Sequence, residues 1–354
     1  MNMKQDKIVY QPWGEAVRNE CLSAHDKGEL STLDLELTAK CTKASCIYCD
    51  SRPDVGSRHA NELNLRETKK LLEEAKELGL RWIFTCGLGE PLEDIKFKGL
   101  VKTASELGIR VSLFTNGILI DKTIAEWLHD NGVCLILKLD SFQEETFEKI
   151  LGKKGAAQEI YNCLDLLLES GYAQHNENGY TDLAFSIVPT RLNLNEIEDV
   201  ITFAKKNNIF PSVGELEQAG RALENSVYQD LSLDHQEILA LKAKVETLLW
   251  KGYTRPICPT IITGVHIDNI GQCVVDSETG LNCKWFLLRE PAIKIMGSIR
   301  ENTLAELFSN VRKYRKKRFE GNGDAVRKCE AVEYVFGGCG GNPSEIIRLA
   351  RQHL

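Results

Sequence analysis

The chain has 354 residues, enough for one large α/β domain with a smaller one beside it. Hydrophobic residues at 43% and charged residues at 27% match a soluble globular protein, and a formal charge of −7 argues against a nucleic-acid-binding surface. No apolar run reaches membrane-spanning length, and the start lacks the apolar core of a signal peptide. Twelve cysteines spread over so long a chain therefore read as metal or redox ligands in a reducing cytosol, not as a disulfide framework.

Residues 1–31 are mixed and polar, with a turn signal at Pro12 and Gly14, and read as an N-terminal extension. An alternating run from Leu33 to Leu37 predicts a first strand, and helical periodicity from Asn61 to Leu78 predicts the helix after it. The rhythm then repeats. Strands are expected at 81–85, 111–115, 134–139, 183–188 and 210–216, with helices at about 93–107, 121–131, 156–170 and 194–207 between them. Such alternation implies parallel βα units, and about six of them predict an α/β fold that is a partial (β/α)6 barrel over 32–220. The active site is then expected at the C-terminal ends of the strands, where the loops carry the chemistry. After residue 220 the pattern changes to a helix near 232–250, a hairpin-like run over 264–276, a basic helix at about 303–319 and a Cys- and Gly-rich tail. Residues 221–354 read as a small Cys-rich α+β subdomain.

Cys41, Cys46 and Cys49 fall within nine residues, directly after the first strand. Three soft ligands at one strand end suit zinc or an iron–sulfur cluster, and three without a local fourth leave one coordination position open. Gly87, Gly89, Glu90 and Pro91 form a glycine turn after the second strand, where backbone can approach closely and a carboxylate is on offer. Thr115 and Asn116 close the third strand, and Lys138 and Asp140 the fourth. A second set of thiols, Cys258, Cys273, Cys283, Cys329 and Cys339, lies in a segment with little core-forming pattern and suggests a metal-stapled subdomain. Cys21, Cys86, Cys134 and Cys163 fall in or beside elements and read as core, with Cys86 the one exception left open. The run Arg312–Arg318 reads as the solvated face of a helix.

These segments, in this order, resemble the radical S-adenosylmethionine (SAM) enzymes with a SPASM/twitch-like C-terminal extension. The first Cys spacing is one residue longer than the family's usual C-x3-C-x2-C. The resemblance implies a [4Fe-4S] cluster on Cys41, Cys46 and Cys49 whose open iron chelates SAM. It implies Tyr48 beside the adenine and the Gly87–Pro91 turn around the methionyl amino group. Thr115, Asn116, Lys138, Asp140, Ser186, Thr190 and Asn193 would lie near the ribose and methionyl moieties, with Lys138 standing where a serine is common. It further implies one auxiliary [4Fe-4S] cluster on four of the five C-terminal cysteines. The spare thiol would be structural or a hydrogen donor, with Cys273 and Cys283 as the candidates. The activity implied is reductive cleavage of SAM to a 5′-deoxyadenosyl radical. That radical takes a hydrogen atom from a peptide or natural-product substrate, giving oxidation, epimerisation or cross-linking, with electrons from a flavodoxin- or ferredoxin-type protein. Small metabolites such as aminoglycoside-like sugars are the alternative substrates, and a non-catalytic zinc scaffold is the alternative of another class.

Overall fold

The computed structural model describes residues 8–49, 59–85, 87, 89–176, 179–218, 220–224, 226–251, 253, 263–276, 293–321, 348 and 352–353. Cys86, Cys258, Cys283, Cys329 and Cys339 lie outside the described residues.

Six strands, β1 (Thr32–Leu35), β2 (Trp82–Thr85), β3 (Arg110–Thr115), β4 (Cys134–Lys138), β5 (Leu183–Ile187) and β6 (Phe210–Val213), pair in parallel, each with its neighbour in sequence. The connections carry α2 (Leu65–Glu77), α3 (Phe97–Glu106), α4 (Lys122–Asp130), α5 (Glu144–Leu151), α6 (Ala156–Glu169) and α7 (Ile197–Lys206), after an N-terminal α1 (Glu15–Asp26). Sequential parallel pairing with a helix in each crossover is the βα pattern expected from the alternation. The strands are buried on both faces because helices cover one side and the inward side fills with Phe84, Ile136, Ala184 and Phe210. Local signals set the helices. Asn64 and Glu67 form a reciprocal capping box at the start of α2, which lays Leu71, Leu72 and Ala75 on the core.

The N-terminal extension does more than its polarity suggests. Beyond α1, it places Tyr10 and Trp13 at the N-terminal ends of the strands. There the Tyr10 hydroxyl meets Ser112 Oγ at 2.9 Å, and Trp13 packs edge-on to Phe210 with ring centres 5.8 Å apart. Two isolated aromatics carry no periodicity, so only their burial reveals that they plug the barrel floor.

Residues beyond 220 extend the same sheet. After α8 (Val227–Leu231) and α9 (His235–Leu248), β7 (Gly264–Ile267) pairs in parallel with β1, and β8 (Gln272–Asp276) and β9 (Ile293–Ser298) add antiparallel. Helix α10 (Leu304–Gly321) packs back on the sheet. Its basic run is solvated at Lys313, Lys316 and Lys317 but not throughout, since Arg315 is fully buried and donates to the Gly264 carbonyl at 2.7 Å. A cation at that position ties the helix to the edge of β7, which a charge pattern alone cannot show.

One buried ion pair fixes the site's foundation. Lys96 Nζ lies 2.6 Å from Asp94 Oδ2 and donates to the Leu37 carbonyl at 3.1 Å, with both side chains almost wholly enclosed. Asp94→Ala leaves that ammonium unpaired, so urea unfolding is expected to show a loss of about 3–5 kcal/mol. The paired apolar replacement D94L/K96M is expected to retain more stability than the single variant.

Candidate active site

The Cys loop leaves the C-terminal end of β1 and is held from four sides. Ser45 N and Ile47 N donate to the carbonyls of Leu151 and Ile150 at the end of α5, at 2.8 and 3.0 Å. Glu93 accepts from Thr42 N, Thr42 Oγ1 and Lys43 N at 2.6, 2.8 and 3.2 Å, with Lys40 Nζ at 3.5 Å. Glu62 accepts from Thr38 Oγ1 and Ala39 N at 3.0 and 2.8 Å. Arg221 closes the ring: its amide donates to the Cys49 carbonyl at 2.9 Å, and its guanidinium reaches Ser45 Oγ and the Cys46 carbonyl at 3.2 and 3.4 Å.

Inside this frame Cys41, Cys46 and Cys49 are free thiols, each partly enclosed. Burial pushes the Cys41 and Cys46 thiols up to about 12 and about 11, with neighbouring thiols adding to it. A positive metal centre would reverse that penalty by taking the thiolate form. Among the described residues no three His, Cys, Asp or Glu side chains converge on a single ion. A cubane cluster instead binds each thiolate at a separate iron, and three free soft donors on one braced loop fit that group.

The glycine turn touches the loop directly. Gly89 has φ +72°, and a β-carbon there would lie 2.7 Å from the Lys40 carbonyl and also against that of Thr38. Glu90 N donates to the Lys40 carbonyl at 2.8 Å. The Glu90 carboxylate turns inward, accepting from Thr115 Oγ1 and Asn116 N at 2.8 Å each and from Leu92 N at 3.1 Å. Burial outweighs those donors and raises its pKa to about 7. Pro91 opens the short 3-10 turn that places Glu93 on the Cys loop.

On the far side of the loop, Tyr48, Lys138 and Asp140 meet. The Tyr48 hydroxyl donates to Asp140 Oδ2 at 2.6 Å, and Lys138 Nζ lies 2.8 Å from Tyr48 Oη, 2.5 Å from Asp140 Oδ2 and 4.6 Å from the ring centre. Burial works against the Lys138 ammonium, but Asp140, Tyr48 and Cys46 outweigh it and hold its pKa well above the ordinary value. Asp140 also accepts from Val188 N at 2.8 Å, and Asn193 bridges the Asp140 and Val188 carbonyls while accepting from Thr190. Ser186 sits beside Lys138 in register on the neighbouring strand.

The expected site residues thus form two linked groups at the strand ends: Gly87, Gly89, Glu90, Pro91, Thr115 and Asn116 in one, and Tyr48, Lys138, Asp140, Ser186, Thr190 and Asn193 in the other. Of the second thiol set, Cys273 is described: it is fully buried on β8, and burial pushes its thiol up to about 12. Sequence reasoning missed Glu62, Glu93 and Glu36. Glu93 follows Glu90 by three residues, one turn further on, and that spacing was the available signal.

Two measurements check this geometry. Gly89→Ala combines a left-handed backbone with a collision against carbonyls, so it is expected to cost about 1–3 kcal/mol and to lower iron retention. A carboxylate whose pKa rises from 4.5 to about 7 on folding binds its proton more tightly in the native state. Its contribution is therefore lost as pH rises through that window. The thermal midpoint of the wild type relative to Glu90→Gln is expected to fall between pH 4.5 and 7.

Residues 35–204 match a family model described as the radical SAM superfamily. The chain is 26% identical over 329 residues to the PqqA peptide cyclase of Bradyrhizobium diazoefficiens, covering 86% of this chain and 80% of that one. It is 26% identical over 209 residues to the GTP 3′,8-cyclase of Synechocystis sp., covering 59% and 60%. Its fold is similar to that of Streptococcus suis SuiB bound to S-adenosylmethionine, with TM-score 0.63, 18% identity, and 88% and 73% of the two chains covered. SuiB bound to the precursor peptide SuiA aligns with TM-score 0.58 at 17% identity, over 83% and 70%. Residues 35–204, which carry the three cysteines braced at the end of the first strand, are thus the part of this chain that is similar to the radical SAM superfamily.

Proposed function

We propose that this enzyme cleaves SAM reductively and uses the resulting 5′-deoxyadenosyl radical to abstract a hydrogen atom from a peptide of the ribosomally synthesised, modified kind. The observation that carries the reading is the three-thiol loop clamped by Glu62, Glu93, Arg221 and α5 against the glycine turn. A [4Fe-4S] cluster held by Cys41, Cys46 and Cys49 would supply the electron that breaks the S–C5′ bond. The protein's own part is to hold and enclose. The Gly87–Pro91 turn and the Thr115–Asn116 end would receive the methionyl group, and Tyr48 with Lys138 and Asp140 the adenosine. The plugged barrel floor keeps water from a reactive intermediate.

A peptide substrate is supported by the names of the relatives, a PqqA peptide cyclase and SuiB with its precursor peptide. The GTP 3′,8-cyclase similarity favours the second reading, a small-metabolite substrate. An auxiliary cluster would use four of Cys258, Cys273, Cys283, Cys329 and Cys339, with Cys273 or Cys283 as the candidate hydrogen donor. Electrons would come from a flavodoxin- or ferredoxin-type partner in a reducing cytosol. No described helix is long and apolar enough to cross a membrane.

Anaerobic reconstitution with iron and sulfide, followed by SAM and dithionite, tests this. Roughly eight irons per chain with release of 5′-deoxyadenosine is the expected result. About four irons with the same product would remove the auxiliary cluster and keep the chemistry. Bound zinc without SAM cleavage would overturn the enzyme reading in favour of a scaffold.

A further inference from the structure

The carboxylates that brace the Cys loop and glycine turn accept hydrogen bonds from backbone amides and side chains inside the protein. Glu90 serves Thr115, Asn116 and Leu92, and Asp140 serves Tyr48, Lys138 and Val188. Glu62 serves Thr38, Ala39, His59 and Asn269, and Glu93 serves Thr42 and Lys43. Glu36, one residue past the end of β1, is different. Its Oε1 lies 3.3 Å from His266 Nε2, and its Oε2 has no hydrogen-bond partner among the described residues, although the side chain is only 12% exposed.

Glu36 is also seated on the glycine turn. Gly87 has φ +113°, and a β-carbon there would lie 2.5 Å from Glu36 Cγ and 2.6 Å from Cδ, so the missing side chain is what lets the carboxylate lie against the turn. From behind, β7 holds it in place. Glu36 N donates to the Ile267 carbonyl at 3.0 Å, and His266 pairs in register with Asp34. Burial disfavours the His266 imidazolium, but Glu36, Asp34 and Asp268 outweigh burial and keep it above its ordinary range. Glu36 is thus a carboxylate held in place with one open oxygen at the turn expected to receive the methionyl end of SAM, whereas both oxygens of Glu90 are occupied.

We propose that Glu36, clamped by His266, is the carboxylate that accepts a hydrogen bond from the amino group of SAM. This rests on the radical SAM reading above. Charge-assisted bonds of this kind are among the stronger ones available to a ligand, and a partly enclosed setting strengthens them further. His266 lies outside the matched residues 35–204, so the assignment also means that the C-terminal segment helps to hold SAM.

The test is equilibrium binding to the anaerobically reconstituted full chain. It uses SAM and the analogue in which hydrogen replaces the amino group, the latter titrated into the millimolar range. Glu36→Gln is close in shape and removes only the charge. It is expected to keep the iron content of the wild type, to weaken SAM roughly tenfold or more, and to change the analogue less than twofold. His266→Gln leaves the Glu36 charge but frees the side chain, so a smaller loss for SAM alone is expected. Equal losses for SAM and the analogue would make Glu36 a support for the turn and overturn the proposal, as would an unchanged constant for SAM. Wild-type protein that carries iron but binds no SAM would instead overturn the radical SAM reading itself.

Discussion

The site depends on the close approach of the glycine turn after β2 to the backbone that enters the Cys loop. Glu90 N bonds to the Lys40 carbonyl at 2.8 Å, and Gly89 lies where any side chain would strike the carbonyls of Thr38 and Lys40. That contact joins the turn that would receive SAM to the loop that would hold its iron. Neither segment could be displaced alone. The parallel register of β1 and β2 brings the two strand ends level, and the βα repeat exists to make that register possible.

Charge distribution at the strand ends follows one rule. Buried carboxylates are kept where backbone amides and hydroxyls can satisfy them, and they act as braces for loops. Glu62 and Glu93 hold the loop from two sides, Glu90 ties the second strand end to the third, and Asp140 ties the fourth to the fifth. The Tyr48–Lys138–Asp140 group places a positive charge beside Cys46, in the position where the family resemblance expects a serine. A cation there lowers the cost of a thiolate and gives this chain a surround for its loop that serine could not provide.

The strand-and-helix rhythm was legible because hydrophobic periodicity is a local property. The parallel strands β1–β6 and the helices α2, α3, α4, α6 and α7 all fall in or near their expected ranges. The elements that were not legible have weak local signals. Helix α1 has a predominantly polar sequence, α5 spans only eight residues, and Tyr10 and Trp13 show their role only when Ser112 and Phe210 close around them. Arg315 reads as one more cation in a basic run, and its burial depends on a carbonyl of β7 far away in sequence.

The chemistry of this protein is therefore written locally and its geometry globally. Spacing alone gathers Cys41, Cys46 and Cys49 into one loop, sets glycines at the next strand end, and places Thr115, Asn116, Lys138 and Asp140 at the two after it, because residues at strand ends need no distant partner to be neighbours. Which of those groups remains open to a ligand is a different matter. Glu90 and Asp140 are taken up by Thr115, Asn116, Tyr48, Lys138 and Val188, while Glu36, an unremarked residue of an alternating strand, is left with an open oxygen. Hydrogen bonds such as Thr115 to Glu90 and Tyr48 to Asp140, between residues 25 and 92 apart, decide that outcome, and only the folded sheet, with β7 laid against β1, brings those partners and His266 within reach.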